Sequence, residues 1–76
     1  SKEREPERTP GDLNQAVADV VELMQSRAND FNVLLTFKPA PNLGKHLFDA
    51  EAVHRAILNL VTNAIDACRE SEGGRV

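Results

Sequence analysis

The sequence predicts a small α/β fold, a two-layer α+β sandwich with two long helices on one face of a small, incomplete sheet. Three observations predict it. Apolar residues recur every three or four positions from Leu13 to Phe31. Residues 33–38 alternate in the manner of a strand. Residues 49–71 contain neither Gly nor Pro and are rich in Ala, Leu and Ile. Helical and strand periodicities separated by turn residues are the signature of mixed layers.

Taken in order, residues 1–11 read SKEREPERTPG, with charges of both signs, two prolines and no aliphatic side chain. This predicts a flexible linker leaving a preceding domain. Asp12 is placed to cap the first helix, with Gln15 at the capping-box position three residues on. Leu13, Val17, Val20, Met24, Ala28 and Phe31 mark one face of a helix spanning about residues 12–30. In the strand expected at about 33–38, Val33, Leu35 and Phe37 share one face and Leu34, Thr36 and Lys38 the other. Pro39, Pro41, Asn42 and Gly44 make a turn. A second short strand is expected over 45–48.

Asp49 is the next N-cap, with Glu51 well placed for the helix dipole. The second helix is expected to span about residues 50–70. Gly73 and Gly74 then turn into Arg75 and Val76, which look like the start of another strand. On this reading the chain stops short of a complete unit, and residues 12–76 are the N-terminal part of a larger domain.

Composition narrows the function classes. The net charge of −3 and a pI near 5.2 argue against nucleic acid, because no basic patch is available to neutralise phosphates. The longest apolar runs fall far below the roughly 18 residues that a membrane span needs. One cysteine, Cys68, excludes an internal disulfide and suits a reducing cytoplasm. Cys68 and Met24 read as core residues, and His46 and His54 as structural.

The second helix carries the chemistry. At about 100° per residue, Asn63 lies about 40° to one side of Asn59 and Asp66 about 20° to the other. Arg55, Thr62 and Glu70 fall within about 60° of the same line. Val53, Ile57, Leu60, Ala64 and Cys68 take the opposite face, centred about 140° away, with Leu58 and Ile65 on a flank. The result is a mostly apolar helix with a narrow strip of amides and one carboxylate. A merely solvated face would carry Lys and Glu, which favour the helix. Two asparagines cost roughly 1 kcal/mol together relative to Ala or Leu, so helix stability does not explain them. An amide oxygen is a hard neutral ligand for Mg²⁺, and its NH₂ donates to phosphate oxygens. An N-x-x-x-N spacing alone arises often by chance, with amides that only meet backbone or water. Here the flanking residues change the balance.

The stretch N-L-V-T-N-A-I-D-A at 59–67, inside the longer run that starts at Asp49, resembles the N-box helix of sensor histidine kinases. These kinases belong to the GHKL superfamily of Bergerat-type ATP-binding folds, with gyrase-type topoisomerases, Hsp90 chaperones and MutL repair ATPases. Asp12-Leu13-Asn14 after a linker is similar to the start of the family's first helix, and the GGRV ending is similar to the turn into its next strand. The likeness covers roughly residues 10–76. It implies that Asn63 is the amide ligand of the Mg²⁺ that bridges the ATP phosphates, and that Asn59 lines the phosphate side of the pocket. Asp66 matches an acidic position beside the nucleotide in several members, where many histidine kinases have Lys or Arg instead. Arg55 stands where many members have Gln. Hydrolytic relatives carry a glutamate at the position of Asn59 to activate water. Asn cannot accept that proton, which favours a kinase over a hydrolase.

What is absent matters as much. No D-x-G-x-G for adenine, no glycine-rich lid and no phosphoacceptor His-Glu or His-Asp motif occurs in this chain. The resemblance therefore implies no catalytic residue of its own here. It implies cofactors ATP and Mg²⁺ in the complete domain, a cytoplasmic location with a parent that membrane spans elsewhere could anchor, and two protein partners. Those partners are a histidine-containing dimerisation domain and a response regulator. Alone, the segment is expected to be inactive, with an open sheet edge where a second copy could pair or swap. Two other readings stand beside the kinase: a degenerate GHKL module that binds partners without turnover, and a GHKL ATPase.

Overall fold

Two aspartates start the two helices. In the computed structural model, which describes residues 5–69, residues Arg8–Asp12 form strand β1 and Leu13–Asp30 form helix α1. Lys45–Asp49 form strand β2, and Ala50–Arg69 form helix α2. Asp12 has the extended backbone of an N-cap, and its Oδ1 accepts from the Gln15 amide at 3.3 Å. The capping box is one-sided, because the Gln15 side chain donates forward to Asp19 at 2.8 Å. Asp49 does more. Its Oδ1 accepts from the Glu51 and Ala52 amides at 3.1 and 3.2 Å, and its Oδ2 accepts from Glu7 N–H at 3.1 Å. One side chain thus satisfies orphan donors of α2 and ties down the chain entering β1. Asp49→Ala is expected to cost about 1–2 kcal/mol in urea unfolding. A midpoint equal to wild type would refute that dual role.

Asn32 ends α1. It adopts a left-handed φ of 57°, its N–H reaches Asn29 O at 3.1 Å, and Val33 N–H reaches Ala28 O at 2.8 Å. This is a Schellman closure with Asn in the position usually held by Gly, and its apolar partners Ala28 and Val33 are both buried. The closure turns the chain back along α1. Gln25 then donates to Leu35 O at 2.9 Å, and Asn14 exchanges two hydrogen bonds with Ala40, at 2.7 and 3.1 Å.

The coarse α+β composition is as expected, two helices and a two-stranded antiparallel sheet. Its details differ from expectation in three places. The presumed linker supplies β1, which pairs with β2 in the register Arg8↔Asp49 to Asp12↔Lys45. Pro10 and Gly11 hide this strand from propensity arguments, yet both suit an edge. Gly11 leaves room for the Phe48 ring, since a Cβ there would stand 2.8 Å from its Cζ. Second, residues 33–38 form no ladder among the described residues, only an isolated bridge at Leu34. Side chains of α1 hold the backbone at Leu35 and Ala40. Third, the core lies between the helices and this extended segment, and the β1–β2 sheet contributes nothing to it. Val20, Met24, Ala28, Val33, Leu35, Val61 and Ile65 form it, flanked by Val21, Phe31, Ile57, Leu58 and Cys68. Val33 and Leu35 are buried as expected and Phe37 half-buried.

The shape reflects that thin core. The molecule is a slab of 40 × 38 × 16 Å, little thicker than one helix with its side chains. Its radius of gyration of 14.2 Å exceeds the about 11 Å of a compact domain this size. The expected turn at Gly73 and Gly74, the strand start at Arg75 and Val76, and Glu70 lie outside the described residues.

Candidate functional site

The roll of α2 decides what faces outward. Its buried residues are Val61 and Ile65, with Ile57, Leu58 and Cys68 packed beside them. That core-facing line is rotated by roughly 80° from the face expected around Ala64, toward the flank that holds Leu58 and Ile65. Leu60, expected in the core, is 70% exposed as a result. Leu13, Val17, Ile57 and Ala64 are half-buried.

The same roll turns the amide strip away from the core. Asn59 and Asn63 are exposed, while Thr62 and Asp66 are half-buried at the strip's edge. Arg55 extends the strip toward the helix start and pairs with Glu51 one turn earlier at 3.5 Å. Both partners are well exposed, so this pair contributes little beyond local helix support.

Asp66 differs from the two amides. Its Oδ1 faces Arg69 of the same helix at 3.6 Å and Arg27 of α1 at 4.0 Å. Both guanidiniums also lie over the Phe31 ring, 5.5 Å from its centroid for Arg27 and 3.9 Å for Arg69. Sequence reasoning missed this cluster. The Asp66–Arg69 spacing of three was legible in it, but Arg27 and Phe31 arrive only through the packing of α1.

The donor set can be compared with the ligand chemistry expected of it. No group of three or more His, Cys, Asp or Glu side chains converges among the described residues. A resident metal held by the protein alone is therefore a poor match to the strip. Mg²⁺ bound with a nucleotide is a better one, because it keeps several waters and phosphate oxygens and takes only one or two protein ligands. The outward amide of Asn63 fits that need, and Asn59, one turn earlier, offers a second amide as donor. The histidines lie off the strip's amide pair: His54 is exposed, and the His46 ring nitrogen Nε2 meets Leu43 O at 2.8 Å, a local loop contact. No helix among the described residues is long and apolar enough to cross a membrane.

Comparison with family models, with curated proteins and with solved structures finds no match to this chain.

Proposed function

We propose that this chain is the N-box part of an ATP-binding domain of the sensor histidine kinase type, a GHKL fold. In the complete protein, that domain hands the γ-phosphate of ATP to a histidine on a separate dimerisation domain, from which a response regulator is served. The observation that carries the reading is the pair Asn59 and Asn63, exposed one turn apart on α2 within N-L-V-T-N-A-I-D-A, with Val61 and Ile65 anchoring the opposite side. Neither asparagine is buried and neither stands at a helix end, so both amides are open to a ligand.

In this reading Asn63 Oδ1 is the protein's ligand to Mg²⁺, and Asn59 Nδ2 donates to a phosphate oxygen. When bound, the ion neutralises charge that develops between the β- and γ-phosphates. The chain's own residues position and donate, and none of the amides removes a proton. A neutral amide at residue 59 leaves water unactivated, which suits transfer to a protein acceptor over hydrolysis. Use of ATP places the reaction in the cytoplasm.

The second reading, a partner-binding module without turnover, draws support from Leu47 and Leu60, which are 67% and 70% exposed. Labelled ATP separates the two. A chain that joins residues 1–76 to the adenine-binding elements should give acid-labile, alkali-stable phosphate on the acceptor histidine. No label under any condition would end the kinase reading and leave the partner-binding one.

Residues 1–76 by themselves are expected to bind MgATP weakly or not at all. One wall of a pocket gives neither adenine recognition nor the enclosure that strengthens polar contacts. Calorimetry checks this, and a dissociation constant at or below the micromolar range would overturn it.

A further inference from the structure

Apolar packing alone leaves the roll of one helix against another loosely set, because it is non-directional. Between α1 and α2 that packing comes from Val20, Met24, Val61 and Ile65. A directional element stands at one end of the same contact. Arg27 in the last turn of α1 reaches across to Asp66 of α2, and Arg69 approaches the same oxygen from the last turn of α2. Phe31, just past the end of α1, lies under both guanidiniums.

The carboxylate is used asymmetrically. The Asp66 side chain is 48% exposed as a whole, yet its Oδ1 is buried and accepts no hydrogen bond. The exposure therefore belongs to the rest of the side chain, and Oδ1 points inward at the two cations. At 3.6 and 4.0 Å these are ion pairs without hydrogen bonds, and both guanidiniums also make cation–π contact with the ring. Both arginines also sit at helix C-termini, where positive charge is favoured.

We infer that Asp66 is a positioning residue rather than a nucleotide ligand: with Arg27, Arg69 and Phe31 it clamps the end of α2 to α1 and fixes the direction of Asn63. The geometry is simple. Asn63 lies one turn before Asp66, so a roll of α2 that the clamp permits or prevents is transmitted directly to the Asn63 amide. Asn59 lies two turns before Asp66, nearer the end of α2 that Asp49 caps, and is governed less by the clamp. The consequence for nucleotide rests on the function proposed above, but the clamp itself does not.

The test is a double-mutant cycle with Arg27→Gln and Asp66→Asn in the 76-residue chain, read by unfolding and by ¹H–¹⁵N NMR without nucleotide. Each single change should raise the unfolding equilibrium constant about 2- to 5-fold, the scale of a partly exposed ion pair. The double should be no worse than the poorer single. Both singles should shift the side-chain amide resonance of Asn63 in the same direction, with a smaller shift at Asn59. Additive effects with an unmoved Asn63 would overturn the clamp. Should Asp66→Asn fail to fold, Arg27→Gln and Arg69→Gln carry the same comparison from the cationic side.

Phosphotransfer by the complete kinase then separates the two roles of Asp66. A positioning role predicts similar losses of a few-fold for R27Q and D66N, and no further loss in the double. A ligand role predicts a much larger loss for D66N alone, which would overturn the assignment. Failure of the ATP reading would appear instead as no transfer by the unaltered protein, with the nucleotide-free cycle unaffected.

Discussion

Asn63→Ala and Asn63→Asp are each expected to reduce phosphotransfer by at least about 100-fold, the loss typical of removing one preorganised contact to developing charge. The fold should survive both changes. Asn63 is exposed on α2, surface substitutions usually stay within about 0.5 kcal/mol, and alanine is the better helix former. The two substitutions fail for different reasons. Alanine removes the amide oxygen offered to Mg²⁺, whereas aspartate keeps an oxygen but adds negative charge beside anionic phosphates. Far-UV circular dichroism near wild type together with lost transfer is the expected pair of results. Turnover at the wild-type rate in either variant would end the assignment of Asn63.

Ile65→Ala is expected to have the largest effect on stability. Ile65 is fully buried and belongs to the cluster that joins α2 to α1 and to Val33 and Leu35. Removing buried methyl and methylene groups of Ile costs about 2–5 kcal/mol. A chain of this length has roughly 4–11 kcal/mol in total, so the loss takes a large share of it. The cooperative transition should broaden or vanish at 37 °C. Leu60→Ala is the informative contrast. That side chain is 70% exposed, and its loss should leave the midpoint within about 0.5 kcal/mol of wild type. Equal effects at residues 60 and 65 would mean that α2 is rolled differently from the structure described.

Asp66 and Leu60 illustrate what a helical wheel can and cannot deliver. The wheel correctly put Asn59 and Asn63 on one narrow line, because the angle between residues on a helix is fixed by backbone geometry. It placed Asp66 on that line too, and the angle is right. What the wheel could not supply is the neighbour. Arg27 and Phe31 approach Asp66 only because α1 lies along that flank, and sequence spacing within α2 holds no information about it.

Local chemistry determined much of this protein from the sequence alone. Asp12 and Asp49 start the helices, and Val33 and Leu35 turn inward after the first, since caps and short periodicities act over a few residues. The turn around Asn42 and Gly44 follows from the same rules, with φ of 58° and 72°. Tertiary structure decided the rest. Arg8–Asp12 becomes a strand because Lys45–Asp49 pairs with it, against the preferences of its own Pro10 and Gly11. Residues 33–38 have the alternation of a strand but no ladder among the described residues, since alternation specifies a face and only a neighbouring backbone supplies hydrogen bonds. The roll of α2 belongs to the same class. The apolar residues of α2 wrap more than half its circumference, so composition permits several burial lines. Packing against α1 selects the one through Val61 and Ile65, and thereby sets Asn59 and Asn63 facing outward.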